Sequence, residues 1–247
     1  MTDNLGTGSS LPAGKRDQAP ETRRGVVRWL VRETMGVVMV GVILFISAGR
    51  LNWPMGWALV GIYALWVAAN ALILIPRCPE LLVERASRRT DVASWDTKLM
   101  SAIGLITLVK YVVAGLDLRF GWPPPLPAWL QVAALIVSAL GYALGTWAMA
   151  SNAFHSMVYR LQEDRGHSVA TGGPYRYVRH PTYLGTIAFE LATPLMLGSL
   201  WAFIPGALAA LLFVVRTALE DRSLQAELEG YGEYAARVRY RLVPGVW

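Results

Sequence analysis

Six long apolar segments most strongly limit what this chain can fold into. They cover approximately residues 33–49, 54–75, 98–116, 127–150, 182–198 and 200–219. A helix needs about 20 such residues to cross a bilayer. The chain is also only 16% charged, whereas soluble domains carry roughly 25% charged residues. The sequence therefore predicts an all-α fold, a polytopic integral-membrane helical bundle of about six transmembrane helices.

The positive charges predict how this bundle is oriented. All but three of the 23 Lys and Arg residues fall in four regions: 1–32, 77–98, 151–180 and 216–247. Cytoplasmic segments of membrane proteins carry an excess of these residues, so we expect the four regions and both termini to be cytoplasmic. The turns on the opposite side carry tryptophan, as an interfacial aromatic belt does.

Glycines, prolines, tyrosines and basic residues are most concentrated at residues 171–185, at the entrance to the fifth apolar segment. This stretch reads Thr-Gly-Gly-Pro-Tyr-Arg-Tyr-Val-Arg-His-Pro-Thr-Tyr-Leu-Gly. Gly-Gly-Pro predicts a turn, and Pro181 predicts the first turn of a helix, where its missing N–H costs nothing. A helix N-terminus beside cations and aromatic rings suits an anionic or zwitterionic ligand. A positively charged loop at the membrane surface is the alternative interpretation.

Histidine and cysteine are distributed in a way that does not favour a metal site. The three histidines, His155, His167 and His180, are 12 and 13 residues apart. This spacing does not match a helical i, i+4 pair, so no metal is predicted. His155 follows the fourth segment, where capping of helix carbonyls is an adequate role, whereas His167 and His180 flank the turn. Cys78 is the only cysteine, which excludes an internal disulfide.

Charged residues within the last four segments suggest two ion pairs. Arg216 and Glu220 are i, i+4 partners at the inner end of the sixth segment, and a simple intrahelical ion pair is one interpretation. Lys110 and Glu190 fall within predicted spans, where a charge is costly and faces the bundle interior. We expect these two residues to form a structural pair, and contact with a polar group of the substrate is the alternative interpretation.

These motifs resemble the isoprenylcysteine carboxyl methyltransferase family, which shares its C-terminal core with membrane phospholipid N-methyltransferases. The resemblance rests on His-Ser-Val-Ala-Thr-Gly-Gly-Pro-Tyr at 167–175, Arg-His-Pro-Thr-Tyr-Leu-Gly at 179–185 and Arg-x3-Glu-Asp-x2-Leu at 216–224. It covers residues 155–247, and the earlier segments share only apolar character with the family. The family's paired glutamates are Glu220 and Asp221 here, so less weight falls on Asp221.

The resemblance implies a cytoplasm-facing pocket for S-adenosyl-L-methionine, with a lipid-side entrance for an apolar methyl acceptor. Carried over by position, the cofactor-binding residues are His167, Ser168, Val169, Ala170, Tyr175, His180, Pro181, Thr182, Tyr183 and Glu220. Arg216 would face the acceptor and is the expected catalytic residue. A zwitterionic amino-acid end needs both a cation or helix N-terminus and a carboxylate, and tyrosine rings suit the sulfonium.

The predicted function is therefore an integral-membrane S-adenosylmethionine-dependent methyltransferase acting on a lipophilic acceptor. A carboxylate acceptor, such as an isoprenylcysteine-like group, needs no base, whereas a lipid amine must first lose a proton. The expected partners are this acceptor and membrane lipids, with no nucleic acid. We expect a multi-pass protein of the cell membrane, divided into a disordered cytoplasmic tail (1–25), four transmembrane helices (26–150) and a methyltransferase core (151–247).

Two other functions stay open. A membrane reductase of the sterol type has a related helical core and uses NADPH, although the sequence has no additional basic cluster for a cofactor phosphate. A non-enzymatic transport or assembly partner would use Glu190 and Lys110 as pathway residues. Binding of S-adenosylmethionine, of NADPH or of neither would distinguish the three functions.

Overall fold

All the regular structure in the described part of the chain is helical. The structure is a computed structural model that describes residues 13–86, 93–122, 124–152, 154–155, 159 and 166–247, with side chains from residue 20 onward. Its helices are α1 (Ala13–Ala48), α2 (Pro54–Arg77), α3 (Pro79–Ala86), α4 (Ser94–Phe120), α5 (Ala128–Ala150), α6 (Pro181–Met196), α7 (Phe203–Glu227) and α8 (Tyr231–Arg237). A 3-10 turn at Gly173–Arg176 precedes α6.

Five of these helices are long and apolar enough to cross a membrane: α1 from Pro20 onward, α2, α4, α5 and α7. The remaining predicted span, the fifth (182–198), corresponds to α6, which has only 16 residues. At 1.5 Å per residue this helix is about 24 Å long, shorter than a hydrocarbon core of about 30 Å. The all-α polytopic membrane fold is confirmed, and the cytoplasmic position of both termini stays a prediction.

Two helix boundaries differ most from the predicted ones. Helix α1 begins at Ala13, so the predicted end of the tail at residue 25 falls inside a helix, and residues 1–12 lie outside the described part. Helix α7 continues to Glu227, eight residues past the predicted end at 219. A helix that is already formed gains one hydrogen bond for each residue added, so it extends through polar residues with good helix propensity.

Glycines allow α6 to pack closely against its neighbours α5 and α7. At Gly141 of α5, an added Cβ would lie 2.5 Å from the carbonyl oxygen of Gly185 in α6, and the reverse substitution meets the Gly141 carbonyl. At Gly206 of α7, a Cβ would lie 2.7 Å from the Glu190 carbonyl oxygen. Small residues permit such close approach of helix backbones in membranes. The short helix α6 is therefore held between α5 and α7.

The predicted pair between Lys110 and Glu190 is confirmed. Lys110 Nζ lies 2.6 Å from Glu190 Oε2 and joins α4 to α6. Lys110 is fully buried and Glu190 is 4% exposed. The ammonium also lies 5.4 Å from the centre of the Phe189 ring. Pairing offsets part of the cost of burying two charges in an apolar interior.

Candidate active site

A pocket opens where the end of α5, the start of α6, the second half of α7 and α8 meet. It encloses about 740 Å³ including its mouth. Nine of the ten predicted cofactor residues line it: His167, Ser168, Val169, Ala170, Tyr175, His180, Thr182, Tyr183 and Glu220. Pro181, the tenth, is not among the described lining residues. The structure thus brings these nine residues into one cavity, and their binding role stays a prediction.

Eight further residues line the pocket that sequence reasoning did not assign to it. They are Asn152, Phe154, His155, Tyr159, Arg179, Leu224, Tyr231 and Tyr234. Leu224 is one helical turn past Glu220, a spacing that places two side chains on the same face of a helix. For Tyr231 and Tyr234 the signal was present, since both belong to the C-terminal part of the sequence that follows the Arg-x3-Glu motif.

The 3-10 turn fixes Tyr175 in the wall of the pocket. Gly173 has a φ of +55° and no room for a side chain against Ser151 and Trp147, so glycine is required there. The following Tyr175 is buried, with Asn152 Nδ2 donating to its hydroxyl at 3.3 Å. Tyr234 donates its hydroxyl to the Tyr175 carbonyl at 2.8 Å. The turn therefore connects the end of α5 to α8 around the cavity.

The start of α6 carries the most strongly constrained part of the site. Pro181 occupies the first position of this helix, as predicted, and His180 precedes it. The backbone N–H groups of Arg179 and His180 donate to the carbonyls of Tyr240 and Arg241, both at 2.9 Å. The C-terminal segment thus pairs with the two residues that enter α6.

Asp221 anchors this arrangement from behind the pocket. It is fully buried and accepts two hydrogen bonds from Arg179, at 2.7 and 2.9 Å. Arg241 Nε donates to it at 2.8 Å and the Tyr231 hydroxyl at 3.0 Å. His180 Nε2 lies 3.2 Å from the same carboxylate. Asp221 is therefore a positioning residue for His180 and Tyr231, a role that the sequence did not indicate.

Glu220, the neighbour of Asp221, faces the cavity instead. It is the only carboxylate among the described lining residues. Tyr183 donates its hydroxyl to Glu220 Oε2 at 2.5 Å, and His180 Nδ1 lies 3.9 Å from Oε1. The His180 and Tyr183 rings stack, with centres 5.7 Å apart. The Glu220 side chain keeps 19% exposure, so part of its carboxylate is available to a ligand.

Arg216, the expected catalytic residue, forms an ion pair with another helix of the bundle. Its partner is Asp96 of α4, which accepts from Nε at 2.7 Å and from Nη2 at 3.1 Å, and Asp96 also accepts from the backbone N–H of Tyr159 at 2.7 Å. The guanidinium lies 5.1 Å from the centre of the Tyr183 ring. Arg216 is absent from the described lining of the pocket. Its contact with an acceptor stays a prediction, and the geometry favours a role in positioning Tyr183.

The tyrosines of the pocket are held as neutral phenols. Burial raises the pKa of Tyr175 to about 12. Burial also raises the pKa values of Tyr231 and Tyr234, the former with the Asp221 carboxylate beside it. Neutral aromatic faces attract cations. With a single carboxylate among them, these rings suit a ligand that carries positive charge.

The part of the chain that the structure describes has no group of three or more His, Cys, Asp or Glu side chains placed to hold a metal ion. It does have one unsatisfied polar atom in the pocket. Thr182 Oγ1 is buried and makes no hydrogen bond of ordinary length to the described residues, with Tyr175 as a nearby polar neighbour. A buried hydroxyl without such a bond costs free energy, so this atom marks a position where a ligand has a hydrogen bond to gain.

Comparison with known proteins agrees with the resemblance seen in the sequence. A search of curated proteins finds no match. Among solved structures, the chain is similar to one described as the eukaryotic intramembrane Ras methyltransferase ICMT (isoprenylcysteine carboxyl methyltransferase) without a monobody, at 18% identity and a TM-score of 0.48, over 95% of this chain and 98% of that chain. Residues 133–226 match the family model of the isoprenylcysteine carboxyl methyltransferase (ICMT) family. This segment contains the 3-10 turn, α6 and Glu220, and it is the part of the chain that is similar to the isoprenylcysteine carboxyl methyltransferase family.

Proposed function

We propose that this membrane methyltransferase uses S-adenosyl-L-methionine to methylate a carboxylate on a lipophilic acceptor. The observation that carries the proposal is the pocket at the start of α6, where Glu220, the only carboxylate among the described lining residues, lies beside neutral tyrosines. The family match, which spans α6 and most of α7, supports the reaction type.

The residues of the pocket fit the chemical groups of the donor. The Glu220 carboxylate suits an ammonium group, and charge-assisted hydrogen bonds of this kind are the stronger ones. The faces of Tyr175 and Tyr231 suit a sulfonium or an adenine ring. Thr182 Oγ1, which makes no hydrogen bond of ordinary length to the described residues, offers a further hydrogen bond.

The residues of the chain contribute mainly alignment and the exclusion of water. When bound, S-adenosylmethionine would supply a methyl group activated by its positive sulfur, and a neutral thioether would leave as an acceptor oxygen takes the methyl carbon. Asp221 holds His180 and Tyr231 in place, and Arg216 holds Tyr183. Alignment of this kind removes a large part of the barrier of a two-substrate reaction. A carboxylate acceptor leaves no proton to remove, so no general base is required.

The charge distribution supports a multi-pass protein of the cell membrane with its pocket on the cytoplasmic side. Apart from Thr182 and Tyr183, the described lining residues lie within 152–180 or after Arg216, two of the regions where Lys and Arg are concentrated. By the positive-inside rule these regions remain in the cytoplasm. A cytoplasmic pocket has direct access to a soluble, charged donor.

Binding of labelled S-adenosylmethionine to the purified protein in detergent tests the proposal. Wild-type protein should bind the donor, and Glu220→Gln should bind it about ten- to a hundredfold more weakly, because one charge-assisted hydrogen bond contributes roughly 1.5–3 kcal/mol. Glu229→Gln, which removes an exposed carboxylate from the segment just after α7, is the matched control. Binding of NADPH instead would indicate a reductase, and binding of neither would indicate a non-enzymatic protein.

A further inference from the structure

A second cavity lies directly beside the pocket, among α2, α3, α5 and α6. We call it the inner cavity, and it encloses about 660 Å³ including its opening. His155 and Thr182 line both cavities. The buried Thr182 hydroxyl therefore lies at the boundary between the two spaces.

Most of the inner cavity is apolar and extends into the bundle. Trp66, Tyr142, Met149 and Phe189 contribute to its walls. At Gly145, an added Cβ would meet nothing within 4 Å, so the helix α5 leaves open space there. Thr182 and Phe189 are seven residues apart on α6, which corresponds to about 10 Å of depth. An apolar chain of that length has room beside α5.

One end of the inner cavity carries a buried cation, Arg85 of α3. Arg85 is only 8% exposed. Within the described part of the chain, no carboxylate forms an ion pair with its guanidinium: the nearby Glu33 pairs with Arg32 at 2.6 Å, and Glu190 at the other end pairs with Lys110. Arg32 donates to the backbone carbonyl of Arg85, which leaves the Arg85 side chain unaffected. A buried charge without a partner is costly unless a ligand supplies the opposite charge.

Arg85 stays charged in this setting, whereas the histidine beside it is neutral. Burial lowers the pKa of Arg85 to about 10, with Glu33 opposing the shift. Burial, with the cations Arg85 and Arg216, lowers the pKa of His155 to about 3. At neutral pH, the charge at this end of the inner cavity therefore comes from Arg85.

We propose that Arg85 binds the carboxylate of the methyl acceptor, while the apolar chain of the acceptor occupies the inner cavity. This inference rests on the proposed methyltransferase function and assigns the residue and the cavity that would hold its acceptor. An arginine grips a carboxylate through two parallel hydrogen bonds, which orients the carboxylate as well as binding it. Arg216 is less suited to this role because Asp96 already occupies its guanidinium.

The inference separates two classes of acceptor. A lipophile with one carboxylate gains an ion pair with Arg85, whereas an amine headgroup is repelled by the same cation. The methyl group therefore goes to oxygen, and the new C–O bond neutralises the acceptor. Loss of that negative charge weakens the contact with Arg85 and favours release of the ester.

Direct binding of two matched probes to the full-length protein in lipid nanodiscs tests the inference. The probes are a labelled N-acetylated S-isoprenylcysteine and its carboxamide, which differ only in the charge of the headgroup. Wild-type protein should bind the carboxylate about ten- to a hundredfold more tightly than the carboxamide. Arg85→Gln should abolish this preference while the carboxamide affinity stays within about twofold, as expected when only a charge-assisted contact is lost.

Two further variants keep the test informative. Arg85→Lys retains the charge without the planar fork and should recover only part of the preference. Arg77→Gln removes an exposed arginine from the end of α2 and should leave the preference unchanged. Carboxamide binding by Arg85→Gln also reports whether the variant is folded.

The outcomes distinguish this inference from the proposed function. If wild-type protein binds S-adenosylmethionine but Arg85→Gln still prefers the carboxylate, the inference is wrong and the proposed function stands. If wild-type protein binds no S-adenosylmethionine, the proposed function is wrong and the inference falls with it. Equal binding of both probes to wild-type protein would also overturn the inference.

Discussion

Glu220 and Asp221 are adjacent carboxylates with different surroundings, and substituting each should have a different effect. Asp221 is fully buried and binds Arg179, Arg241 and Tyr231. We expect Asp221→Asn to destabilise the protein and release the C-terminal segment, although Asp221 does not line the pocket. Glu220→Gln should instead weaken donor binding and leave the fold intact.

The expected loss of stability in Asp221→Asn follows from the burial of the partners of Asp221. Arg179 is 7% exposed, and removing the partner of such a buried charge costs about 3–5 kcal/mol. The Arg241 side chain is 33% exposed, so its loss adds no more than about 1 kcal/mol. The same substitution removes the anchor of His180 and Tyr231, so donor affinity should also fall.

The assay combines equilibrium unfolding in mixed micelles with limited trypsin digestion. Asp221→Asn should lower the free energy of unfolding by about 3–5 kcal/mol and accelerate cleavage after the arginines of residues 237–241. Glu229→Gln, which changes an exposed carboxylate, controls for the loss of one charge. Wild-type stability together with wild-type resistance to trypsin in Asp221→Asn would refute this account of the C-terminal segment.

Four further predictions follow from the geometry. Arg216→Ala should lower the melting temperature and turnover, because it leaves Asp96 buried without its partner; normal values for both would show that the pair is dispensable. Gly185→Ala should cost about 1–3 kcal/mol of stability, since its Cβ overlaps a backbone carbonyl of α5, and an unchanged melting temperature would contradict this. The pKa of His155 lies near 3 in the folded protein, below its usual 6.5, so the unfolded chain binds more protons and stability falls as the pH drops below 6.5, by at most about 1.4 kcal/mol per pH unit. His155→Gln should therefore lose less melting temperature between pH 7 and pH 5 than wild type, and an identical loss would exclude this role. A reporter fused after Trp247 should report the cytoplasm; an external signal would put the pocket on the wrong side for a cytoplasmic donor.

Structural features that depend on neighbouring residues in the sequence, such as membrane helices and turns, were predictable. Apolar runs of helical length specify membrane helices, because backbone groups in lipid must be satisfied within the segment. The turn at Gly173–Arg176 and the start of α6 at Pro181 follow from local backbone preferences. Nine of the predicted cofactor residues meet in the pocket, and eight of them lie close together in sequence, between residues 167 and 183.

The pair between Lys110 and Glu190 was predictable for a different reason. The two residues are 80 positions apart, and no local pattern connects them. A charge in the bilayer interior is costly enough that it needs a partner, and each residue had few candidates. The high cost of an unpaired charge in the bilayer was therefore enough to predict the pair, although the sequence does not show that the two residues are close in space.

Other pairings depend on packing between distant helices, and there the sequence was insufficient. Arg216 has Glu220 one turn away, yet its described bidentate partner is Asp96, 120 residues earlier in the chain. Exposed i, i+4 pairs stabilise by only a few tenths of a kcal/mol, so a well-placed carboxylate on a neighbouring helix prevails. The helix packing of α4 against α7 decides which partner is available.

The different roles of the adjacent residues Glu220 and Asp221 also could not be predicted from the sequence. The sequence by itself determined that both carboxylates lie on the last long helix, near the pocket. Successive residues on a helix point about 100° apart, so one side chain faces the cavity and the other faces the C-terminal segment. Likewise, Arg85 had no visible role until α3 placed it at the end of the inner cavity. Only the tertiary structure decided these roles, because the rotation of a helix about its axis is set by what packs against it.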